Sequence, residues 1–79
     1  MLMEQINYYD VVKWKNPADI FEQEDVMLAT GGMGIYTEVT HLNEDGMDFA
    51  ETVETERLRV VGHAETYDKP EDVYARYVR

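Results

Sequence analysis

"VMLATGGMGIYTEVTH", residues 26–41, follows an apolar run with three glycines in four positions, and its reading decides the fold. If Gly31, Gly32 and Gly34 opened a helix, they would form a phosphate-binding turn, and the domain would be an α/β nucleotide-binding unit. The next residues, "IYTEVTH", are instead β-branched and alternate with the period of a strand. The third glycine of a dinucleotide fingerprint would fall on Thr37. A P-loop needs Lys beside Ser or Thr, yet no basic residue occurs between Lys15 and Arg57. The glycines therefore turn the chain between two strands. Gly31-Gly32 reads as a two-residue type I′ turn that sets Leu28 opposite Ile35.

Downstream, "MGIYTEVTHLNEDGMDFAETVE" (33–54) reads as a second hairpin. A three-residue loop, Glu44-Asp45-Gly46 with Gly46 left-handed, pairs His41 with Phe49, Val39 with Glu51, Thr37 with Val53 and Ile35 with Thr55. That register puts Ile35, Val39, Met47, Phe49 and Val53 on one face. Glu38, Asp48 and Glu54 go to the other, with Tyr36 and Leu42. Residues 56–66 form a further strand with Leu58, Val60 and Ala64 on one side. A closing helix, 68–79, has Asp68 as cap, Glu71 completing a capping pattern, and Arg76 and Arg79 near its C-terminus.

Upstream, residues 6–14 read as a first strand. "NPADIFEQ" (16–23) starts a short helix, with Asn16 as N-cap and Pro17 at the first helical position. The element order is β-α-β-β-β-β-α within a single domain, 1–79. The fold class is α+β: a curved antiparallel sheet or small open barrel of about four to five strands, with a short helix after strand 1 and a C-terminal helix.

Composition narrows the chemistry. With 79 residues and 44% hydrophobic content the chain supports one thin core. It has neither cysteine nor serine, which excludes disulfides, thiolate metal sites and the common nucleophiles. The absence of cysteine, of a secretory leader and of any apolar run near 20 residues leads to the expectation of a cytoplasmic protein away from membranes. Aligning Gly46 with the sixth position of a calcium loop puts His41 and Thr52 at the two anchor positions, so "HLNEDG" is an ordinary polar turn. His41 and His63, the only histidines, could meet on adjacent strands beside Glu51 or Glu65, but their spacing matches no metal motif. The expectation is a non-enzymatic protein with no cofactor and no metal.

Charge is the strongest signal. Of 17 acidic and 7 basic residues, no Lys or Arg lies in 16–56, whereas eleven acids do, so this one segment carries the net charge of −10. It repels nucleic acid and anionic membranes and attracts basic partners. Alternate residues of a strand project to one side about 6.5–7 Å apart, close to the spacing of phosphates on a nucleic-acid strand, about 6–7 Å. Glu38, Asp48 and Glu54, with Glu44 and Asp45 at the hairpin tip and Glu22, Glu24 and Asp25 from the helix, form the expected interface. The expected partner is a basic, nucleic-acid-binding protein, blocked by a phosphate-mimicking decoy of the kind phages encode. The alternative is a self-associating assembly subunit, a homodimer formed through Tyr8, Tyr9, Trp14, Tyr74 and Tyr77, in which the acids only solubilise.

Overall fold

The computed structural model describes residues 5–32 and 34–79. The elements are β1 (Asp10–Trp14), α1 (Ile20–Glu24), β2 (Val26–Gly31), β3 (Tyr36–Asn43), β4 (Gly46–Glu54), a 3-10 turn (Thr55–Arg57), β5 (Leu58–His63) and α2 (Pro70–Tyr77). All pairings are antiparallel, in the order β4-β3-β2-β1-β5. The α+β class, the curved five-stranded sheet and both helices are as the sequence leads one to expect.

The curvature follows from the connections. β4 and β5 lie on opposite edges of the sheet, yet only Thr55–Arg57 joins them. In a flat sheet those edges would stand about 19 Å apart, four strand spacings of about 4.8 Å. The four Cα steps from Glu54 to Leu58 reach at most about 15 Å. The sheet must roll, and it does: Val53 of β4 and Leu58 of β5 belong to one buried cluster with Ile6, Val12, Trp14, Met27, Ala29 and Val39. This is the interior of an open barrel. The outer face carries a second cluster, Val11, Val26, Leu28, Leu42 and Ala64, covered by Val73 of α2 with Tyr74, Tyr77 and Val78 around it.

Three bulges explain where simple alternation fails. The body of the β3–β4 hairpin has the expected register, with Val39 opposite Glu51 and Thr37 opposite Val53. At the tip, Leu42 pairs with Met47 and Asn43 with Gly46, so the loop is Glu44-Asp45, closed by the Asn43 side chain accepting from the Asp45 amide at 2.8 Å. Asp48 and Phe49 together face His41, and this extra residue moves Met47 to the outer face beside Leu42. Gly46 keeps the expected positive φ, 118°. In β5 the extra residue is Val61, which sends Ala64 to the outer cluster while Leu58 and Val60 stay with the interior. In β2 it is Thr30: Leu28 pairs with Thr40, not Ile35. The Thr55 amide and hydroxyl take the carbonyls of Ile35 and Gly34, which holds residues 34–35 at the end of β4, away from a tight two-residue turn. Met33, within that loop, is outside the described residues.

Helix starts also differ from expectation. The N-cap of α1 is Asp19, whose carboxylate accepts from the Glu22 amide at 2.9 Å, while the Glu22 carboxylate accepts from the Ala18 amide at 2.8 Å. Pro17 and Asn16 precede the helix. At α2 the N-cap is Lys69, with Pro70 at the first turn; Asp68 instead accepts from the Glu65 amide at 2.9 Å and closes the preceding turn. β1 begins only at Asp10 because its carboxylate takes the Asn7 amide and Tyr9 turns at φ 68°.

Candidate functional site

The eight acids singled out from the sequence fall into three places. Glu38 and Glu54 are exposed on the outer side of β3–β4, diagonal to one another since Glu38 pairs with Thr52 and Glu54 with Tyr36. Glu38 also accepts from the Thr30 hydroxyl at 3.2 Å. Glu44 and Asp45 occupy the hairpin tip, with Glu44 bordering α2. Glu22, Glu24, Asp25 and Asp48 line a cleft of about 510 Å³ between α1 and the β3–β4 hairpin. Asp48 is brought there by the β4 bulge, away from Glu38 and Glu54.

The cleft is the mouth of the barrel. Trp14, closing the interior, donates its indole N–H to the Asp25 carboxylate at 2.8 Å. The Arg57 guanidinium lies over the Trp14 ring, 4.8 Å from its centroid. On the hairpin wall His41, almost buried, bonds through Nε2 to the Glu51 carboxylate and stacks on Phe49 with ring centroids 4.2 Å apart. On the opposite wall α1 buries none of its residues: Ile20 is 63% and Phe21 76% exposed. Sequence reasoning missed Phe21, Phe49 and Arg57 as members of a site and weighed Glu51 only as a carboxylate beside the histidines. The legible signal was the adjacent apolar pair Ile20-Phe21 in an otherwise polar helix of five residues.

Behind the cleft, Lys13 is buried on the outer side of β1 and donates to the Tyr77 carbonyl at 2.9 Å, at the C-terminus of α2. Burial holds its amine below the usual lysine value of 10.5, and the charge of Arg59 adds to this; Asp25 and Glu24 act in the opposite sense.

The histidines do not meet. His41 is on β3 and His63 on β5, with β2 and β1 between them, and each has its own carboxylate: Glu51 for His41, and Asp10 at 2.9 Å for His63. Among the described residues no group of three or more His, Cys, Asp or Glu is placed to hold a metal ion. No described helix is long and apolar enough to cross a membrane.

The aromatic set has mostly internal roles. Trp14 is in the barrel interior, and Tyr9, Tyr74 and Tyr77 pack against the outer cluster beneath α2. Tyr8 alone of the five is largely exposed, stacked on Tyr9 at 4.7 Å. The chain matches no protein-family model, no curated protein and no solved structure, so its site is read from its own geometry.

Proposed function

We propose that the protein is a non-enzymatic binding module that engages the basic surface of a nucleic-acid-binding protein and competes there with nucleic-acid phosphates. The observation that supports this reading is the concentration of exposed carboxylates on α1 and the β3–β4 hairpin, within a segment that has no Lys or Arg. Exposed ion pairs give only about 0.2–1 kcal/mol each, so the field's larger effects are on association rate and on rejection of wrong partners. Self-association through tyrosines has less support, because Tyr9, Tyr74 and Tyr77 already pack within the molecule.

The test is capture from a lysate with elution by salt, followed by challenge with duplex DNA. The reading expects a basic nucleic-acid-binding protein, released by salt and displaced by DNA. Changing Glu38, Asp48 and Glu54 together to Lys is expected to leave the fold intact and abolish capture. Retention of the same partner by that variant would remove the acidic segment as the interface.

A further inference from the structure

We infer that the cleft between α1 and the β3–β4 hairpin is a docking groove for an arginine-bearing, otherwise apolar segment of the partner protein. This deepens the proposed binding function and rests on it. The carboxylates alone would not define a groove. The aromatic side chains that water has not been kept from do.

Phe21, 76% exposed, and Phe49, 53% exposed, stand on opposite walls of the same cleft, and Ile20 beside Phe21 is exposed as well. A five-residue helix with none of its residues buried gains nothing for its own fold by holding a phenyl ring in water. Covering those rings needs an apolar occupant. The polar lining selects its charge: Glu22, Glu24, Asp25, Asp48 and Glu51 against Arg57, the one Lys or Arg among the described residues of the cleft. An occupant must therefore be cationic where it meets the carboxylates and apolar where it meets the rings.

Arginine fits both requirements better than lysine. Its planar guanidinium stacks on an aromatic face and forms paired hydrogen bonds to a carboxylate, and it sheds water more readily than an ammonium. The molecule already contains the stacking part of this arrangement, with Arg57 over the Trp14 ring, while Asp25 accepts from the same indole. The other half of the cleft offers rings and carboxylates of the same kind to a guanidinium from outside. A volume of about 510 Å³ suits a short segment; pockets for small ligands run about 300–1,000 Å³. A second copy of the chain is a poor occupant, because two molecules of net charge −10 repel.

The test is a titration of the whole protein, followed by amide NMR, with a short synthetic peptide of alternating Arg and Leu. The expected result is shifts grouped at residues 21–25, 41–43 and 48–51. Phe21→Ala, whose intact fold the same spectrum verifies, is expected to weaken binding about tenfold. The Glu38→Lys, Glu54→Lys double variant is expected to stay within about threefold, since both side chains lie outside the cleft. Shifts spread over Glu38, Glu54 and the hairpin tip, with Phe21→Ala binding normally, would overturn the groove while leaving the acidic reading in place. The groove also fails if the peptide does not bind while lysate capture persists. Loss of both peptide binding and capture overturns both readings.

Discussion

At the scale of single residues, two positions have consequences that can be measured. Gly62 lies on β5 under Tyr77, and a Cβ built there would overlap the Tyr77 hydroxyl and ring carbons. Alanine at 62 therefore forces Tyr77 and the end of α2 off the sheet. The expected cost is about 1–3 kcal/mol by urea unfolding, falling below about 0.5 kcal/mol when Tyr77 is also Ala. Lys13 gives a pH signature. Its folded-state pKa lies below 10.5, so the unfolded chain holds the proton more tightly. Its burdened charge is fully present below the lowered value, and stability is regained as pH rises from there to 10.5. Compared with Lys13→Met, the wild-type urea midpoint is expected to gain between neutral pH and about pH 10. Thr55 shows a finer local logic. Its hydroxyl donates to the Gly34 carbonyl, so the buried Thr37 hydroxyl must be the donor in their shared bond at 2.7 Å. Neither buried hydroxyl is left without a partner.

At the scale of elements, α1 is the weakest piece. Five residues with no buried side chain depend on Asp19 and Glu22 for their first turn. Asp19→Ala is expected to raise hydrogen exchange at the Glu22 amide and to lower global stability by less than about 1 kcal/mol. The same variant should weaken any ligand held by Phe21. The strands were the legible elements, because alternation such as Thr37-Glu38-Val39 survives in the register of β3 with β4. The Gly31-Gly32 pair correctly marked a reversal, but its loop type was settled by Thr55, far along the chain. The cap of α1 was misplaced by three residues because Asn16 and Asp19 are both cap formers, and that of α2 by one because Asp68 closes the preceding turn while Pro70 fixes the helix start. The bulges went unread: Gly62 inside "VVGHA" hints at one and "GMDFA" gives no such hint, yet each reassigns the faces beyond it. For this reason the candidate acids were read as one continuous row, whereas Asp48 lies in the cleft and Glu38 and Glu54 lie outside it.

At the scale of the whole molecule, an excess of ten negative charges on a small body works against compactness. Raising salt from about 10 mM to about 1 M shortens the screening length from about 30 Å to about 3 Å. The melting temperature is expected to rise across that range, and a flat or falling profile would show that attractive charge pairs outweigh the repulsion. The rolling of the sheet was only partly legible, because pairing of β1 with β5 joins the two ends of the chain and no local pattern encodes it. That pairing has a kinetic consequence. The His63–Asp10 contact spans 53 positions, whereas β2, β3 and β4 follow one another as neighbours. Closing so long a loop carries an entropic toll that the meander does not bear, so the meander is expected to form first and the β1–β5 seam last. Since β1 and β5 complete the barrel interior and lie under α2, the cleft at its mouth exists only after that final zippering. Any occupant bound there would hold the seam shut from outside and slow the whole molecule's opening.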